Sequence, residues 1–159
     1  MTEPNVDAIL QRSNQQPSKI DDLLKALVMV PEKTSLEIGI TLNVNGLLIT
    51  GFMISQQTYF EEITAQVNSN KTDSETKASL TKFFGDLKDT LLSKSTSDDD
   101  YFAPFIHLRD AKIYPSEGRG MPTFGHALWR GDIRSVNGFS LGEMSPAQIK
   151  NSHAPSLEM

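Results

Sequence analysis

His107, His126 and His153 are the side chains best suited to move protons or bind a metal near neutral pH. Their neighbours argue against both uses. His107 stands between Ile106 and Leu108, His126 follows Gly125 at the entrance to an apolar alternation, and His153 lies in a polar C-terminal run. None has a second histidine four residues away on a helical pattern, and the chain contains no cysteine to complete a zinc set. The lack of cysteine also removes thiolate nucleophiles and disulfides, which suits a reducing compartment. Ser116-Glu117-Gly118-Arg119-Gly120 is rich in glycine, but no phosphate-facing helix follows it. Glu61-Glu62 stands on a helical pattern beside Phe60, where solvation explains paired acids without catalysis. General acid–base work needs a cleft that shifts a pKa, and nothing in the pattern announces one. We therefore expect no enzyme activity, no metal and no cofactor.

Recognition is the chemistry that remains. Phe102, Phe105, Tyr114, Phe124, Trp129 and Phe139 gather in the C-terminal half, interleaved with Arg109, Lys112, Arg119, Arg130 and Arg134. Large aromatic area beside guanidinium donors is the composition of protein interfaces, so Arg109, Trp129, Arg130, Arg134 and Phe139 are the expected contact residues. The competing reading puts Trp129 and Phe139 in the core and leaves Arg130 and Arg134 as the surface pair. The net charge is −5, and residues 1–100 carry nine Lys/Arg against fifteen Asp/Glu, so nucleic acid is not an expected partner. An Sm-like RNA-binding module, using the local basic residues, is the alternative function.

The elements that must position these residues centre on Leu36 to Ile54. Leu36, Ile38, Ile40, Leu42 and Val44 alternate, Asn45-Gly46 supplies a two-residue turn, and Leu47, Ile49, Gly51 and Met53 resume the alternation. Before this hairpin, Ile20, Leu23, Leu24, Leu27 and Val28 predict a helix capped by Ser18 and stopped at Pro31. After it, Tyr59, Phe60, Ile63 and Val67 predict a helix from Ser55, and Leu80, Phe83, Phe84, Leu87 and Leu91 predict a second. Ser93 to Asp100 reads as a solvated loop.

Tyr101 to Tyr114 is the next strand, with a bulge near Arg109-Asp110 to reconcile opposite phases of alternation. Residues 115–122 form a loop, and Ala127, Trp129, Gly131 and Ile133 form a strand. Asn137-Gly138 is expected to turn between Val136 and Phe139.

The expected class is mainly β with helices (α+β). The form is a small, strongly bent antiparallel sheet or an SH3-like or Sm-like barrel, with an N-terminal helix and a helical insertion over 56–100. A flat sheet covered by helices is the alternative. One domain over 18–143 is expected, with flexible segments at 1–17 and 144–159. The N-terminus lacks a basic stretch followed by a long apolar one, and nowhere do eighteen apolar residues run together, so neither secretion nor membrane spanning is expected. A two-faced apolar hairpin plus a striped helix favours a homo-oligomer.

Three blocks carry a resemblance. They are Leu42 to Gly46 with Ile49 to Ser55 and Tyr59-Phe60, then Phe105 to Tyr114, then Trp129 to Ile133 with Val136 to Gly142. Together they resemble the gas vesicle accessory protein U family over residues 36–67 and 101–143. The resemblance implies a cytoplasmic, non-enzymatic protein at the gas vesicle surface, whose partner is the shell protein and which modulates vesicle assembly or clustering. Clustering needs two shell-binding surfaces per particle or self-association, because a monovalent binder cannot bridge.

Overall fold

In the computed structural model, which describes residues 20–96, 104–116, 119–123 and 125–144, the Asn45-Gly46 turn forms as its sequence predicts. Asn45 and Gly46 take φ of 52° and 84°, the left-handed pair that a two-residue hairpin turn requires. Strands β1 (Ile38–Val44) and β2 (Leu47–Ile54) pair antiparallel, with Val44 opposite Leu47 and Ile38 opposite Met53. An added β-carbon at Gly46 would meet nothing within 4 Å, so Gly46→Val adds backbone strain and no clash. It is expected to cost on the order of 1–3 kcal/mol in denaturant unfolding. An unchanged midpoint would show that the turn does not set the register.

The elements that follow the hairpin are helices α2 (Gln56–Ser69) and α3 (Ser74–Thr96), then β3 (Phe105–Tyr114), β4 (Ala127–Asp132), a 3₁₀ turn (Ile133–Ser135) and β5 (Val136–Leu141). Helix α1 (Asp22–Lys33) precedes it. The cap of α1 is Asp21, whose Oδ1 accepts from the Leu24 N–H at 3.0 Å; Ser18, the expected cap, lies outside the described residues. Pro31 does not stop the helix as expected. It sits buried in the last turn, where only one intrahelical bond is forfeited, and Lys33 is the final helical residue. Ser55 caps α2 by accepting from the Thr58 N–H, as the period change predicts. α3 runs on through Ser93 to Thr96, so the first part of the expected loop is helical.

The five strands form one antiparallel sheet in the order β4-β3-β2-β1-β5. β4 and β5 are opposite edges, yet only three residues join them. A flat sheet would hold those edges roughly 19 Å apart, whereas the four peptide steps from Asp132 to Val136 span at most about 15 Å, and less in a 3₁₀ turn. The sheet must therefore curl. β4 and β5 bond only to β3 and β1, so the curl stops short of the closed barrel that was one expected form.

Two bulges make the curl. On β3, Thr50 pairs with Lys112 and Phe52 with Arg109, so Asp110 and Ala111 oppose Gly51 alone. Asp110 takes φ of 51°, which fulfils the bulge expected from the phase change. On β5, Val44 pairs with Val136 and Asn43 with Gly138, which leaves Asn137 as the extra residue. Asn137-Gly138 is therefore not a hairpin turn. The dipeptide serves a bulge instead, and Asn137 Oδ1 accepts from the Asn45 N–H at 2.8 Å.

The concave face carries Ile40, Leu42, Ile49, Met53, Ile106, Leu108 and Ala111, closed by Leu24 and Val28 of α1 and by Ile133. Of the α1 stripe, Leu24 and Val28 are buried and Ile20 and Leu27 pack against the core, whereas Leu23 is left exposed. α2 lies on the other face and packs against α3.

Candidate protein interface

The β3 bulge and the short β4–β5 link decide where each expected contact residue stands. Trp129 is on the concave face opposite Leu108, half-buried against the core. Its ring covers Gly131 so closely that a β-carbon there would overlap it. Phe139, opposite Leu42 on β5, also packs on the core from a half-buried position. These two follow the competing reading in large part.

Arg109 and Arg130 project from the opposite face, beneath α2. Arg109 Nη2 meets Glu37 Oε2 at 2.5 Å, and its Nη1 lies 3.6 Å from Glu62 Oε1, so this side chain staples the entrance of β1 to α2. The Arg130 guanidinium sits over the Phe105 ring at 4.2 Å and lies 5.9 Å from the Phe60 centroid. Beside it His107 is buried under Tyr59, with ring centroids 4.8 Å apart. Neither imidazole nitrogen has a hydrogen-bond partner. Burial, and secondarily the Arg130 charge, push the His107 pKa down to about 3. Burial raises the Tyr59 pKa while Arg130 opposes that shift. The uncharged imidazole, the aromatic rings and the Arg130 guanidinium together hold α2 to the sheet.

Arg134 stands in the 3₁₀ turn and is exposed. Its Nε and Nη2 clasp the Asp132 carboxylate, the shortest contact being 2.5 Å, and this lowers the Asp132 pKa. Arg134 and Phe139 border one groove of about 480 Å³ between α1 and β5, together with Ile20, Leu24, Ile133 and Val136. The structure thus brings two of the five expected residues to one site and sets the other three elsewhere. Ile20 and Gly138 also line it; the turn that the sequence predicts at Asn137-Gly138 would fold β5 away from α1 and so does not point to them.

His126 borders a smaller cleft of about 230 Å³ with Asp110, Lys112, Tyr114 and Glu143. Among the described residues no three His, Asp or Glu side chains converge as a metal site, and no helix is long and apolar enough to cross a membrane.

A family model described as gas vesicle protein GvpU-like matches residues 21–144. The chain belongs to that family. No curated protein and no solved structure matches it. The GvpU-like match opens at Asp21, the cap of α1, and closes at Met144, whose N–H donates to Thr50 Oγ1 at 2.9 Å. It therefore takes in α1 and α3, which lie outside the stretches 36–67 and 101–143 of the resemblance. Membership in the GvpU-like family gives the chain a gas vesicle accessory role.

Proposed function

We propose that this protein is a non-catalytic accessory factor that binds the gas vesicle shell from the cytoplasmic side and promotes vesicle clustering. The observation that carries the vesicle partner is the family match over residues 21–144. The contact surface we assign is the α1–β5 groove. It combines an apolar floor of Leu24, Ile133 and Phe139 with the exposed Arg134 at its rim, the composition of an interface anchor point.

A catalytic reading has less support. The most buried histidine is neutral and enclosed, and the cleft beside His126 is smaller than the roughly 300–1,000 Å³ of small-molecule sites. The RNA-binding alternative also loses ground, because Arg109 and Arg134 are matched by carboxylates and Arg130 lies over aromatic rings.

Co-flotation of purified protein with intact vesicles tests the proposal. Arg134 is exposed at the rim of the groove, so Arg134→Glu reverses the charge there without disturbing the core. Arg134→Glu is expected to keep its unfolding midpoint and to reduce vesicle binding at least tenfold. Wild-type protein that stays behind when vesicles float would reject the vesicle role. Full binding by the folded variant would reject the groove.

A further inference from the structure

The polar groups along the α1–β5 groove are hydrogen-bond donors held in place by the fold. Asp132 caps the 3₁₀ turn by accepting from the Arg134 N–H at 2.8 Å. The same carboxylate accepts from Nε and Nη2 of the Arg134 side chain, at 3.0 Å and 2.5 Å. A guanidinium is planar and carries five N–H groups. The Asp132 clasp uses one edge of it, so the opposite edge, Nη1 with the other hydrogen of Nη2, faces away from Asp132. Among the described residues no acceptor is bonded to that edge. The side chain is 66% exposed, yet the clasp restricts it to one orientation, which reduces the entropy lost when a second acceptor docks.

Asn137, which also lines the groove, is oriented in a similar way. Its Oδ1 accepts from the Asn45 N–H, which fixes the amide and leaves the Nδ2 hydrogens for another acceptor. Asp21 is the one carboxylate among the described groove residues. It is committed to the N-terminus of α1, whose dipole offsets its charge.

We infer that the groove takes an acidic protein segment, with a carboxylate on the outer edge of Arg134 and an adjoining apolar side chain on Leu24, Ile133 and Phe139. This rests on the shell-binding reading and names the chemistry that the shell has to present at the groove. Charge complementarity identifies the occupant. A basic segment would set a cation against an edge made only of N–H groups. A wholly apolar segment would strip water from those groups and return no acceptor. A small free anion would leave the apolar floor uncovered. A carboxylate matches the guanidinium fork, and its neighbouring side chain covers the floor. Asp132 is accordingly a positioning residue, which aims the guanidinium at the partner.

Co-flotation with intact vesicles, before and after their surface carboxylates are converted to neutral amides with carbodiimide and ethanolamine, tests the inference. Blocking is expected to reduce wild-type binding about tenfold and to leave the residual binding of Arg134→Ala unchanged. Arg134→Lys keeps the charge and loses the fork, and is expected to bind untreated vesicles about fivefold more weakly. Asp132→Asn keeps an acceptor for the capping bond and removes the charged clasp. Positioning by Asp132 predicts roughly threefold weaker binding with an unchanged unfolding midpoint, and no effect where Arg134 is already Ala. If Asp132 only neutralised Arg134, Asp132→Asn would bind more tightly, because the guanidinium would be released to the partner; that result would overturn the positioning role. Equal flotation of wild type with blocked and untreated vesicles would overturn the acidic occupant and leave shell binding in place. Wild type that fails to float with untreated vesicles would remove the shell-binding reading, and this inference with it.

Discussion

Gly51→Val is expected to cost about 3 kcal/mol or more, the largest loss among the glycine substitutions considered. A β-carbon at this position would lie 2.8 Å from the Arg109 carbonyl oxygen and 3.2 Å from Ala111 Cα. Both are backbone atoms of the β3 bulge, so no side chain can rotate away to make room. Two residues of β3 face Gly51 because Asp110 is the extra residue, and the bulge pushes its main chain across β2. The bulge also keeps Ile106 and Leu108 on the same face as Ala111 and Ile113, so relaxing it would turn half of β3 inside out. Urea unfolding of Gly51→Val beside Gly138→Ala gives the comparison, since the second site has open space. A cost below about 1 kcal/mol at Gly51 would show that the bulge can shift without losing the core.

His107→Leu is expected to stabilise the protein, by an amount that grows as the pH falls. The imidazole is 1% exposed and neither nitrogen is hydrogen-bonded, so an apolar replacement of similar volume removes an unmet polar demand of about 1 kcal/mol. The pH dependence follows from the depressed pKa of about 3. In the unfolded chain the same group titrates near 6.5. Between these values the unfolded state binds a proton that the folded state refuses, so stability is full above about pH 6.5 and falls by about 1.4 kcal/mol per pH unit toward pH 3. From pH 7 to pH 4 the wild type is therefore expected to lose roughly 3 kcal/mol through this residue, a loss absent from His107→Leu. Glu32, whose pKa burial raises despite its bond from the Gln56 N–H, acts in the opposite sense but is common to both proteins. Urea unfolding of the pair at pH 7, 5.5 and 4 measures the difference. Parallel pH profiles would show that water reaches the imidazole.

Both results depend on features that were unequally visible in the residues. The β3 bulge was legible, because Ile106 and Leu108 fall out of phase with Ala111 and Ile113 and only an extra residue can repair that. The burial of His107 was not, since its flanking residues say that it lies in a strand but not which element covers that face. Tyr59 covers it from some fifty residues earlier in the chain. The sequence marks Arg109 as a contact residue for a partner, whereas the carboxylates that hold it, Glu37 and Glu62, come from two other parts of the chain.

Asn45-Gly46 and Asn137-Gly138 draw the boundary most sharply. The sequence by itself determined the periods of two and 3.6, the phase flip in β3 and the turn at Asn45-Gly46, because each follows from local φ/ψ preference and from which side chains avoid water. Only the tertiary structure decided that the second Asn-Gly lies extended along β1 as a bulge, since the competing hydrogen bonds come from Asn43 to Asn45, more than ninety residues away. That pairing draws β5 across to the far edge of the sheet and under α1, which is why Ile20, Arg134 and Phe139 meet at one groove. Strand order is settled by long-range pairing and burial, and neither leaves a mark on the spacing of neighbouring residues.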